Sequence, residues 1–368
     1  MFGTLRLILA FLVLLSHLDV RIHGLPGTGF QFRPGVNDPG FNLGPFAVAI
    51  FYMLSGYVMT GLVRAYYMDK GKFGIFMVDR CCRILPQYLV FMLAMLPIAM
   101  FVDQGHMRTV DGDPTVLRMV YNITLIPLNF LMYIDDVQNF TLIEPSWSLG
   151  AEMQFYMIIP FVLLWRIRDW VVPASLMVFF VGSMWFFGMN ADTWAYRLIP
   201  GVLFIFLLGS YAFDGMKGEK SAWVKLGLLY VAVIGLFGVM AGYAVMKGEA
   251  FDTKWCLGKN YEVYIAIMVG VPLMIWLAKK KRQAWDEYLG NLSYGLFLSH
   301  MLPVWGLAKL RVGETTLDQT AWFMPAVIVI AFLLAALGYH LVEKPFLSIR
   351  RNFRKRKLAV SPSVTARA

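Results

Sequence analysis

Leu5-Arg6-Leu7-Ile8-Leu9-Ala10-Phe11-Leu12-Val13-Leu14-Leu15-Ser16-His17 opens an apolar run with an arginine and closes it with a histidine. On a helix turning about 100° per residue, Arg6 and His17 differ by only about 20° in direction, so they share one face. The rise between them is about 16 Å, half of a hydrocarbon core about 30 Å thick. Arg6 is therefore placed at a membrane interface and His17 well inside. An ionisable group at that depth is costly and faces a bundle interior or a wet cavity. Two plainer readings stand beside this one. Arg6 is then a positive anchor and His17 an interfacial residue, or the run is a signal peptide. Against the signal peptide stand the missing small-x-small cleavage site and the many longer apolar runs that follow.

Composition agrees with a membrane reading. Apolar residues make up 59% of the 368 and charged residues 15%, against about 25% charged in soluble domains. Ten apolar runs fall near 4–19, 44–64, 84–102, 147–166, 171–188, 195–213, 224–246, 261–278, 289–309 and 322–342. The predicted fold is all-α, a polytopic membrane bundle of about ten transmembrane helices in one domain spanning 1–346. The apolar segment 117–134 holds Asn122, Pro127 and Asn129 and reads as re-entrant or interfacial.

The basic residues then set orientation. They gather between Arg64 and Arg83, at Arg166 and Arg168, at Lys217, Lys220 and Lys225, at Lys279 to Arg282, and at Arg350, Arg351, Arg354, Lys355, Arg356 and Lys357. With ten spans all of these lie on one side, opposite the acidic 103–145 loop, which puts both termini in the cytoplasm. The net charge of +10 thus reads as a topology signal, aided by anionic lipid, and not as a nucleic-acid surface. Residues 347–368 read as a basic, disordered cytoplasmic tail. Cys81, Cys82 and Cys256 are too few for a disulfide framework and read as structural, and no zinc-ligand spacing is present. Two sequons, at Asn122 and Asn139, matter only in a eukaryotic secretory pathway.

Five stretches carry groups with chemical potential. Phe51-Tyr52-Met53-Leu54-Ser55-Gly56-Tyr57 places two small residues where a backbone or a ligand can approach closely. Arg80-Cys81-Cys82-Arg83, before Ile84-Leu85-Pro86, puts two guanidiniums on one helix face, a geometry suited to phosphate as well as to simple anchoring. Pro145-Ser146-Trp147-Ser148-Leu149-Gly150-Ala151-Glu152-Met153-Gln154-Phe155-Tyr156 opens a helix and sets Glu152 about one and a half turns into apolar surroundings, where a carboxylate needs a partner. Asn291-Leu292-Ser293-Tyr294-Gly295-Leu296-Phe297-Leu298-Ser299-His300 ends in a histidine that is either a satisfied bundle residue or an acid–base group. His340-Leu341-Val342-Glu343-Lys344-Pro345 closes the last span with an acid suited to an ion pair.

In this order the stretches resemble the acyltransferase-3 family of integral-membrane acyltransferases. With the opening Arg6 and His17 they resemble its Arg-x10-His, Phe-Phe-x-x-Ser-Gly, Arg-x-x-Arg, Trp-Ser-Leu-x-x-Glu-x-x-Phe-Tyr and closing Glu-x-Pro elements, together with a Ser-Tyr-x-x-Tyr-x-x-His element. In these, Phe297 takes the second aromatic place of the last and Tyr52 the second Phe of the Phe-Phe pair. One departure is Ala49, where many members carry an aspartate; no role is assigned to it. The resemblance implies transfer of an acyl group, acetyl before longer chains, from cytoplasmic acyl-coenzyme A to a hydroxyl of a cell-surface or lipid-linked glycan, in a bacterial inner membrane. It implies His17, Glu152 and His300 as catalytic residues. Arg6, Arg80 and Arg83 would hold donor phosphates, and Ser55, Trp147 and Tyr156 would bind substrate. Neutral imidazole suits His17 as the general base, with Glu152 orienting or balancing a histidine. No metal is expected. The rival reading is a transporter or flippase for a glycan or lipid-linked substrate, which buried ionisable groups would also serve. It predicts two related halves, which the sequence does not display.

Overall fold

The computed structural model describes residues 2–22, 41–101, 110–246, 261–281, 283–308, 310–312, 315–316 and 321–358. Cys256, Arg282 and the last ten residues of the tail lie outside them. The chain is a polytopic helical membrane protein. Its main helices are α1 (Gly3–Ile22), α2 (Leu43–Tyr66), α3 (Phe73–Phe101), α4 (Val116–Thr124), α5 (Trp147–Leu164), α6 (Arg168–Ser183), α7 (Ile199–Met216), α8 (Lys220–Met246), α9 (Tyr261–Ala278), α10 (Ala284–Ser299), α11 (Met301–Ala308), α12 (Phe323–Gly338) and α13 (Lys344–Leu358). One two-residue β-hairpin, Arg311–Val312 with Thr315–Thr316, follows α11. Among the described residues, seven helical segments are long and apolar enough to cross a membrane, and Gly3–Leu18 is a shorter apolar helix.

The core of the bundle is the crossing of α2 and α7. A Cβ on Gly56 would overlap the Phe206 carbonyl, and one on Gly209 would overlap the Met53 carbonyl. The small residues read from the sequence therefore serve backbone approach here. α1 lies in the cleft between α2 and α10. It runs parallel to α10, since Gly3 touches Asp286 and Gly290 at one end while His17 meets His300 at the other. Asp286 caps α1 from the neighbouring helix: its carboxylate accepts from the backbone N–H groups of Gly3 at 3.1 Å and Thr4 at 2.9 Å and from the Thr4 hydroxyl at 2.8 Å. A negative group suits that helix start.

The basic segments converge at this same end of the bundle. Arg64 at the end of α2 and Arg168 at the start of α6 both bind Asp214 near the end of α7, each at 2.6 Å. Asp79 near the start of α3 pairs with Arg80 and with Arg350 of α13 at 2.9 Å. Arg83 pairs with Glu343.

Two expectations change. The tail is not disordered from 347: α13 continues to Leu358 and packs on α3, because Arg350 and Arg354 both find the buried Asp79. The predicted helix 289–309 is broken at His300, since Pro303 has no N–H to return to the carbonyl of Ser299. At the other end of the bundle, α4 and the turn Ile126–Phe130 form a short cover over α5. Asn122 there is fully buried, with its amide donating to Arg118 O and Phe140 O and its Oδ1 accepting from Leu142 N. Its first sequon is thus consumed by the fold.

Candidate active site

α1 and α10, running side by side, bring two histidines 283 residues apart in sequence into contact. Their ring centres are 5.1 Å apart, and His300 Nε2 lies 3.4 Å from His17 Nδ1. His300 is completely buried, and His17 is partly exposed. Backbone carbonyls fix both tautomers. His300 Nδ1 is 3.1 Å from Leu296 O, and a carbonyl only accepts, so Nδ1 carries the proton and Nε2 is bare. His17 Nδ1 is 2.8 Å from Val13 O and carries a proton for the same reason, with His300 Nε2 as its second acceptor. In the neutral pair the bare nitrogen of His17 is therefore Nε2. Neither ring is set against a carboxylate among the described residues.

Glu152 sits one and a half turns into α5, as read from the sequence. Its partners are hydroxyls instead of a histidine. Glu152 Oε1 accepts from Ser55 Oγ at 2.6 Å and from Tyr156 OH at 2.5 Å. The reason is local: Tyr156 is one helical turn along on the same face, and the α2–α5 contact presents Ser55.

Arg6 lies nearer the basic end of the bundle. It takes part in none of the ion pairs found among the described residues. Arg83, Glu152, Tyr156 and Asp286 lie within its electrostatic range. Arg80 and Arg83 do share a face of α3, yet they are held separately. Arg80 is buried with Asp79 and lies 5.9 Å from the Tyr156 ring. Arg83 is partly exposed, pairs with Glu343 and lies 5.4 Å over the Tyr294 ring. Glu343 reaches inward from a π-helical turn, Tyr339–Glu343, between α12 and α13.

Trp147 is buried under Arg197, whose guanidinium lies 4.2 Å from the indole ring. A second π-helical turn, Thr193–Arg197, makes that approach. Asn129 donates to Arg197 O at 3.1 Å and accepts from Gln154 at 2.9 Å, which ties the turn to α5. Of the nine residues singled out in the sequence, the structure brings His17 against His300, gathers Ser55 and Tyr156 on Glu152, sets Arg80 near Tyr156, and packs Trp147 against Arg197. Asp79, Tyr294 and Arg197 were not singled out. Asp79 adjoins Arg80 in sequence, which was an available signal. Tyr294 stands in a quoted stretch. Arg197 gave none.

The comparisons with known proteins follow the same path. The acyltransferase domain family matches residues 2–340. An Aquifex aeolicus protein with no described function is 31% identical over 210 residues, covering 55% of this chain and 88% of its own. A Staphylococcus aureus protein named "Putative O-acetyltransferase" is 22% identical over 336 residues, 82% of this chain and 52% of its own. A Bacillus subtilis protein named "Putative peptidoglycan O-acetyltransferase" is 33% identical over 126 residues, 33% of this chain and 20% of its own. The chain thus spans about half the length of the staphylococcal relative. No solved structure matches. The family match over residues 2–340, nearly the whole of the described bundle, shows that the chain belongs to the acyltransferase-3 family.

Proposed function

We propose that the protein is an O-acyltransferase of a bacterial inner membrane that crosses it ten times with both termini in the cytoplasm. It takes an acyl group, acetyl before longer chains, from cytoplasmic acyl-coenzyme A. It delivers the group to a hydroxyl of a cell-surface or lipid-linked glycan. The observation that carries this reading is that α1, lying parallel to α10, carries Arg6 near the arginine-rich end and His17 in the histidine pair. About 16 Å of helix separates Arg6 from His17, a distance that an extended pantetheine arm covers.

Arg6 and Arg83, the less buried guanidiniums, take the donor phosphates. Arg80, already charge-balanced by Asp79, supports them from behind. His17 Nε2 removes the acceptor O–H proton. The alcohol oxygen bonds to the thioester carbonyl carbon, the C–S bond breaks, and the proton returns from His17 to the leaving thiolate. The imidazolium formed in between keeps its Nδ1–H shared between Val13 O and His300 Nε2, so His300 is a positioning residue. Glu152, held by Ser55 and Tyr156, fixes the passage wall and sets a negative charge near Arg6. Family membership favours this enzyme over a transporter, and the Bacillus relative's name favours a glycan acceptor.

The test is to incubate membranes containing the protein with labelled acetyl-coenzyme A and to follow label into the glycan fraction by mass spectrometry. Label ester-linked to glycan supports the reading. Glycan movement without any ester product overturns it.

A further inference from the structure

Tyr52 stands midway along α2, on the same side as Ser55 one turn on. Its ring is 3% exposed and stacks on Phe206 of α7 at 4.3 Å, and Phe206 stacks on Phe155 of α5 at 4.2 Å. Phenylalanine would fill that slot equally well. The hydroxyl is what needs explaining, because it is buried and has no hydrogen-bond partner among the described residues. Leaving such a group unpaired costs about 1–3 kcal/mol. Among the described residues, Tyr196, Arg197 and Glu152 act on it electrostatically. Ser55, one turn along α2, and Tyr156 hold Glu152. Arg197 is clamped over Trp147 and tethered to the exposed Asp192 at 2.8 Å.

We propose that the unpaired Tyr52 hydroxyl at the head of this aromatic stack forms an acceptor subsite that holds a hydroxyl or ring oxygen of a sugar, with Glu152 and Arg197 as its polar neighbours. Tyr52 is then a specificity-determining residue. The inference rests on the acyl-transfer reading above. A phenol both donates and accepts, as does a sugar hydroxyl, and a guanidinium only donates, which suits a ring oxygen. Donor phosphates need cations and no phenol, and the cations that suit them lie towards the other end of α1. A site that hydrogen-bonds its substrate discriminates strongly, because an ill-matched ligand leaves buried polar groups unpaired.

Tyr52→Phe removes one oxygen and keeps the stack. In purified, lipid-reconstituted full-length protein, with labelled acetyl-coenzyme A as donor and glycan extracted from native membranes as acceptor, the acceptor KM should rise about tenfold. The donor KM and the slow hydrolysis of acetyl-coenzyme A by water should stay at the wild-type level, and the thermal midpoint should hold or rise. An acceptor KM within twofold of wild type means that the hydroxyl serves only water or nothing, and overturns the subsite. A lower thermal midpoint with both KM values and hydrolysis all worsened means that the hydroxyl is structural, and also overturns it. Wild-type protein that transfers no acyl group to any glycan sinks the parent reading, and the subsite falls with it.

Discussion

The two ends of the first helix solve the same problem in opposite ways. Around its start, charge is abundant and, Arg6 apart, paired: Asp79 holds Arg80, Arg350 and Arg354, Glu343 holds Arg83, and Asp214 holds Arg64 and Arg168. Around its far end, two imidazoles lean on backbone carbonyls and on each other, with no carboxylate against them among the described residues. Fixed charges are affordable only where counter-charges come with them. Chemistry that moves a proton needs a group that is neutral at rest and charged for a moment. In the proposed mechanism the first end binds the donor and the second moves the proton.

The comparison breaks most visibly at His17. His17→Ala should lower acyl transfer by about two to four orders of magnitude and leave acyl-coenzyme A affinity in equilibrium binding at the wild-type value. Loss of donor binding instead would move His17 to the other end's function. Next in size, Asp79→Ala strands a buried guanidinium and frees α13. A stability loss of about 3–5 kcal/mol is expected, read as a lower midpoint in detergent melting curves; an unshifted midpoint would show that water reaches Arg80. Arg83→Ala tests whether balance and binding share a residue. Coenzyme A affinity should fall about tenfold, a change of about 1.4 kcal/mol, while the His17-dependent step keeps its rate at saturating donor. Equal affinities for variant and wild type would leave the phosphates to Arg6 alone.

The smallest effect concerns pH. Asp286 lies at the start of α10, outside the spans. Burial pushes its carboxyl up, but the hydrogen bonds from Thr4 and Gly3 outweigh this and hold it below its ordinary value of 3.8. With the folded value the lower one, the unfolded chain binds more protons between the two, so stability rises with pH across that window. The contribution is present above 3.8 and is lost as pH falls through the folded value. Asp286→Asn should flatten that acid-side slope and cost about 1 kcal/mol at neutral pH. A variant whose acid unfolding still follows wild type would show that other carboxylates dominate.

The fold was largely legible because hydropathy is a local property: the helices arise from runs that announce themselves. Pairings were not. His17 finds His300 across 283 residues, and no periodicity carries that information. Arg80 and Arg83 read as one phosphate clamp because their spacing shares a face, yet each has its own acid, one adjacent in sequence and one 260 residues away. The tail read as disordered because its basic run lacks a core of its own; its order comes from Asp79, which lies within a stretch that reads as a cationic loop. Glu152 was placed correctly by its position on the helix, but which neighbour would answer it depended on how α2 crosses α5. Pattern gave the elements, and long-range contact chose the partners.

The parallel seating of α1 against α10 has a consequence for biogenesis. The opening helix leaves the ribosome more than 260 residues before the segment that receives its start at Asp286 and its imidazole at His300. Through most of synthesis its polar stripe therefore has no berth in its final partner. A chain stopped before that late segment would bear Arg6, Arg80 and Arg83 yet no completed histidine couple, so competence should arrive only when the segment carrying His300 has been inserted.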